Sequence, residues 1–179
     1  MAKLGIYTPK LWKIEGGFVN DPDDAGGATN HGVTFAVFVE FCKSKGRPKP
    51  TIADLKAISY DDFCEITKSR YWDKWQADKI DNQSIAELLV DWVYNSGSYG
   101  IKIPQRVLGL DDDGKVGMQT LGAVNGSDAS GVFKKLWLAR KQFYLDIVAR
   151  NPRQEKFLKG WMNRLNEFKF KANGNHRQI

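Results

Sequence analysis

The chain is poor in the residues that build metal centres and disulfide scaffolds, with two cysteines and two histidines among 179 residues. Cys42 and Cys64 stand 22 positions apart, outside any CxxC or Cys/His spacing. No zinc finger or disulfide framework follows from them, and buried reduced thiols are the expectation. His31 and His176 are too few for a histidine-rich metal site. No metal and no cofactor is expected. No glycine-rich stretch closes on Gly-Lys-Ser or Gly-Lys-Thr, which excludes a phosphate-binding P-loop. Long apolar runs are also missing, and nothing approaches the ~20 residues of a membrane span. The first apolar run, Leu4 to Tyr7, stops at Thr8-Pro9. That is short of the ~7–15-residue core of a secretory signal, so synthesis without a cleavable signal is expected.

What is present is globular: 42% hydrophobic, 27% charged and 12% aromatic, with six Trp, six Tyr and ten Phe. A chain of this length buries a real core and favours one compact unit or one with an appendage. The formal net charge of +6 is unevenly held. Residues 1–100 carry 12 Lys+Arg against 14 Asp+Glu, a net −2, and residues 101–179 carry 15 against 7, a net +8. A basic half implies polyanionic company (nucleic acid, an anionic membrane surface or a wall polymer) or solubility alone.

Hydrophobic spacing predicts a mainly helical chain. Thr8-Pro9 reads as the start of a two-turn helix that Glu15-Gly16-Gly17 ends. Residues 16–34 hold five Gly, three Asp, two Asn and a Pro, which is turn chemistry with room for a small hairpin. Irregular segments this long inside a domain are commonly functional. Phe35, Phe38, Val39 and Cys42 have helical spacing. Thr51 with Asp54, and Ser59 with Asp62, look like helix caps, the second opening a helix that runs to about Trp75. A further helix opens at Ser84 and ends near Ser96-Gly97. A short segment from Ile101 to Leu108 leads into an acidic turn, with a small helix after Gly117. Long helices are predicted from about Ala129 to Arg150 and from Pro152 onward, the last with Phe157, Leu158, Trp161, Met162, Leu165 and Phe168 inward.

Glycoside hydrolysis needs two carboxyl groups, one of them a general acid. Glu15 stands beside Trp12 and Ile14 at the negative end of a helix, where its charged form is disfavoured. Asp21, Asp23 and Asp24 follow six to nine residues later. A solvated Glu and a plain acidic turn are the alternative. Trp72 and Trp75 suit either sugar stacking or core packing. Asp91 and Asn95 lie one helical turn apart, as a cleft-lining or a surface pair. His31 either contacts substrate or makes ordinary loop hydrogen bonds. Asp111-Asp112-Asp113-Gly114 fails as an EF-hand, because that frame puts Gly109 and Thr120 where carboxylates belong.

The run from Glu15 to Thr34, EGGFVNDPDDAGGATNHGVT, resembles the opening motif of the family 108 glycoside hydrolases. Tyr71-Trp72, Asp91 with Asn95 and Gly97, and Phe157-x-x-Gly160-Trp161-x-Asn163-Arg164 resemble later motifs of that family. Gln105 followed by Asp113-Gly114-x-x-Gly117-x-x-Thr120 is similar to the DGxxGxxT pattern of peptidoglycan-binding modules. The resemblance implies a lysozyme-like fold: a helical bundle with a glycine-rich loop or small β-hairpin after the catalytic Glu. It implies a catalytic region over residues 1–100 and a helical peptidoglycan-binding-like region over 101–179, packed into the same compact unit. It also implies N-acetylmuramidase activity on peptidoglycan glycan strands, with Glu15 as general acid. The Glu-x8-Asp spacing of phage-type lysozymes makes Asp24 the second carboxylate, with Asp23 and Asp21 open as alternatives. Thr29, one residue closer than that pattern places its threonine, is carried over as a third catalytic residue. Trp72, Asp91, Asn95 and His31 become substrate-binding candidates. A monomer is expected, acting on the cell wall after holin-type release, with no specific nucleic-acid partner. Some family members are labelled secretion activators. Lytic transglycosylase chemistry and a non-catalytic wall-binding or secretion-accessory role are the competing functions.

Overall fold

The computed structural model describes residues 1–20 and 27–172. Asp21, Asp23 and Asp24 lie outside them, as does the tail from Asn173. The chain forms two compact units, Leu4–Arg70 and Met1–Lys3 with Tyr71–Ile179.

The unit Leu4–Arg70 holds α1 (Leu4–Ile14), β1 (Thr29–Asn30), β2 (Val33–Thr34), α2 (Phe35–Ser44), α3 (Ile52–Lys56) and α4 (Tyr60–Thr67). α1 starts four residues before Thr8, so Thr8-Pro9 lies inside the helix and is not its cap. Tyr7, Thr8 and Leu11 form its buried stripe. The Thr8 hydroxyl lies 2.9 Å from that of Tyr60 and serves the packing of α1 on α4. Pro9 lacks the N–H that would have bonded the Gly5 carbonyl.

β1 and β2 pair antiparallel, Thr29 with Thr34 and Asn30 with Val33. Their two-residue connection, His31 (φ 47°) and Gly32 (φ 71°), has both φ angles positive. That is a type I′ turn, whose twist matches a tight hairpin, and it explains the Asn-His-Gly sequence. Asn30 is buried and donates from Nδ2 to the carbonyls of Leu55 and Lys56, both at 3.0 Å, which ties the hairpin to α3. Thr34 caps α2 by accepting from the Val37 N–H. Thr51 and Asp54 form a reciprocal capping box on α3. Ser59 caps α4, but the Asp62 carboxylate turns to the Arg47 guanidinium, 2.7 and 2.9 Å away. α4 ends at Thr67, followed by a π-helical stretch, Lys68–Trp72, and a 3-10 turn, Asp73–Trp75.

The other unit is built around α5 (Gln83–Ser96), in which every residue from Gln83 to Val93 is buried. With it go α6 (Tyr99–Val107), α7 (Met118–Val124), α8 (Ala129–Arg150) and α9 (Glu155–Asn166). Asn82, not Ser84, caps α5: its Oδ1 accepts the Ile85 N–H at 3.1 Å. The Ser84 hydroxyl instead accepts the Lys171 N–H. α6 comes so close to α5 that a Cβ on Gly100 would stand 2.4 Å from the Val93 nitrogen. The freed approach lets the Gly100 carbonyl accept from Trp75 Nε1 at 3.2 Å. On α9 only Leu165 is fully enclosed, and Phe157, expected inward, is 46% exposed. The apolar stripe of α9 is longer than the core beneath it, so Phe157 lies at the edge between Trp161 and the Lys156 ammonium.

The expected fold class stands: mainly helical, with a small hairpin after Glu15. Among the described residues no helix is long and apolar enough to cross a membrane.

Candidate active site

Glu15 directly follows α1 and keeps a helical hydrogen bond, its N–H donating to the Leu11 carbonyl at 3.0 Å. Gly16 then adopts φ 69°, a left-handed helix ending that suits glycine. The Glu15 side chain is half-buried, with Oε1 shielded from solvent. Four residues on, Val19 and Thr29 exchange both backbone hydrogen bonds at 2.8 Å. This bridge joins the residues on either side of the sequence that holds Asp21, Asp23 and Asp24. Thr29 is also paired with Thr34, so its backbone is held from both sides and its side chain is half-buried.

His31, at the hairpin tip, stacks on Trp12 with ring centroids 3.4 Å apart and planes 16° from parallel. Its Nδ1 lies 3.1 Å from the Trp12 carbonyl oxygen. A carbonyl only accepts, so Nδ1 carries the proton in that contact. Trp12 is three residues before Glu15, and its ring also meets the edges of Tyr60 and Phe63. Sequence reasoning missed this cluster as a unit. The spacing of Trp12 and Glu15 on one helix was its only local signal.

The remaining candidates lie in the other unit. Trp72 is fully buried and donates from Nε1 to Asp78 at 2.9 Å. Its ring is core, which leaves no face for a sugar, and Trp75 is equally enclosed. Asp91 is buried too, which corrects the expectation of a cleft-lining or surface pair. It receives Arg140 Nη2 at 2.7 Å and Arg164 Nη2 at 2.6 Å. Arg140 is itself wholly enclosed, bonded to the Tyr144 hydroxyl and set over the rings of Trp92, Tyr144 and Phe168. Burial alone would push the Asp91 carboxyl up, but the two guanidinium groups outweigh it and hold it below the ordinary carboxylate range. Asn95 is exposed and donates back to the Asp91 carbonyl and carboxylate. A charged residue at position 140, inside the stripe Phe133-Leu136-Tyr144, was the sequence signal for a buried ion pair.

The DGxxGxxT stretch is a self-contained loop. Gln105, buried on α6, donates to Asp113 Oδ1, the Lys115 carbonyl and the Thr120 hydroxyl, and accepts the Gly114 N–H. Asp113 also takes the Lys115 N–H, and Asp112 pairs with Arg106. Asp112 and Asp113 are therefore engaged in folding this turn.

Residues 8–97 match the family model described as glycosyl hydrolase 108, and residues 99–166 match one described as a predicted peptidoglycan domain. The chain belongs to glycosyl hydrolase family 108. The structure of SagA from Brucella abortus is similar, with 30% sequence identity, a TM-score of 0.74, and coverage of 92% of this chain and 90% of that one. No curated protein matches the chain. This family 108 protein is thus a glycoside hydrolase that acts on peptidoglycan, and its mainly helical fold is the lysozyme-like one expected.

Proposed function

We propose that this family 108 hydrolase is an N-acetylmuramidase, cleaving the β-1,4 bond from N-acetylmuramic acid to N-acetylglucosamine. Glu15 is its general acid. The observation that supports this most is the setting of Glu15: it ends a helix, its Oε1 is shielded, and Val19, four residues on, is bridged to Thr29 across the sequence that holds Asp21, Asp23 and Asp24. Glu15 protonates the leaving oxygen. Asp24 stabilises the oxocarbenium-like state or activates water, and Thr29 orients that water. His31, stacked on Trp12, lies on the same hairpin as Thr29 and is retained as a substrate contact. The catalytic role falls to residues 1–100 and wall binding to 101–179, in line with the boundary between the two family matches. Action as a monomer at the wall, after release through a holin-type pore, completes the proposal.

Digestion of purified peptidoglycan tests it by the mass of the released fragments. Reducing N-acetylmuramic acid ends are expected. Anhydro ends would instead establish a lytic transglycosylase, and no fragments a wall-binding accessory protein. The loop carboxylates separate by substitution. Asp24→Asn is expected to cost about 10²-fold or more in fragment release, within the range of a lost acid or base. Asp21→Asn and Asp23→Asn should stay within a few fold of wild type. If Asp23→Asn is the worst of the three, the second carboxylate is one residue earlier.

A further inference from the structure

α6 and α8 enclose a groove of about 290 Å³ on the unit Tyr71–Ile179. Its floor is apolar, made by Ile103 and Val107 from α6 and by Phe143 and Ile147 from α8. Its walls are charged. Lys102 and Arg106 line one side and Arg150 the other, against a single lining carboxylate, Asp146. Asp112, which is not among the lining residues, pairs with Arg106 and holds that guanidinium in place. Tyr99, 58% exposed, closes one end against the Phe143 ring, 5.6 Å away.

We propose that this groove binds the peptide stem of peptidoglycan, separately from the glycan strand. The inference rests on peptidoglycan being the substrate. A stem peptide carries several carboxylates, few amines and short alanine-type side chains. The groove offers the complement of each: Lys102 and Arg150 beside the Asp112-paired Arg106, one lining carboxylate, Asp146, for an amine, and apolar side chains for methyl groups. A neutral glycan strand has no use for three cations. Every lining residue lies between Tyr99 and Arg150, inside the span that matches the predicted peptidoglycan domain. Gln105, one residue from Arg106 on α6, clamps the adjoining loop, so the α6 wall is preorganised.

The test is an amide NMR titration of the full chain with a tetrapeptide stem freed from its sugar. Shifts are expected in the amides of Tyr99–Val107 and Ala139–Arg150. Arg106→Glu with Arg150→Glu should weaken binding roughly ten-fold, since exposed charge pairs are individually weak and two are reversed together. Ala139→Trp fills the groove without changing its charge and should weaken binding as well. Peptide shifts confined to other residues, or none, overturn the proposal. So does an equal response of the groove amides to a peptide-free glycan oligomer or to anionic lipid vesicles. Failure of the muramidase reading shows instead as the wrong sugar ends on digestion, with the peptide shifts intact.

Discussion

Glu15→Gln abolishes clearing of wall suspensions and leaves the chain folded. Glutamine keeps the shape of the side chain and removes the one proton it can transfer. General acid catalysis contributes ~10²–10⁴-fold, so fragment release should fall by about that factor. Folding should not suffer, because Glu15 lies beyond the buried stripe of Tyr7, Thr8 and Leu11 that seats α1. The measurement pairs fragment release with a thermal melt on the same sample. A variant that melts like wild type but keeps a third of its activity removes Glu15 from the mechanism. Loss of both activity and fold would make Glu15 structural.

Asp91→Ala should be the most damaging single change to stability. It leaves Arg140, whose side chain is 0% exposed, charged and without its carboxylate. Breaking a buried pair from one side costs about 3–5 kcal/mol. For a chain of this size that is roughly 6–20 °C in melting temperature. The double variant Asp91→Leu with Arg140→Met should recover much of the loss, since it removes the fully enclosed charge together with its partner and leaves only Arg164, whose side chain reaches solvent. The pH dependence has a definite sign. The Asp91 carboxyl lies below its unfolded value, so its contribution is complete above the ordinary carboxylate range and is lost as pH falls through it. Acid should therefore destabilise wild type more steeply than the double variant. A shift of under 1 °C for Asp91→Ala would show that the Tyr144 hydroxyl, the Leu88 carbonyl and the surrounding rings hold Arg140 without the carboxylate.

The family's opening run was legible because its signals are local. Gly16 ends α1, His31-Gly32 turns the hairpin and Thr34 caps α2, each within a few residues of the group it acts on. The helix that carries Phe35, Phe38, Val39 and Cys42 is legible for the same reason, since helical periodicity repeats every few residues. The start of α1 was misplaced because Thr8-Pro9 is a strong local cap signal, and its hydroxyl was claimed by Tyr60, 52 residues away. Ser84 was misread likewise, its hydroxyl taken by Lys171, 87 residues on.

The sequence by itself determined the fold class, the family and the acid candidate Glu15, because turn chemistry, helical spacing and a long contiguous motif are properties of near neighbours. The tertiary structure decided which side chains are enclosed and what they meet. It made Trp72 core, gathered Arg140 and Arg164 around Asp91 from 49 and 73 residues away, and set α6 beside α8 to form a groove. Burial and charge pairing are sums over neighbours in space. One chain order fits many such sets of neighbours until the helices have packed.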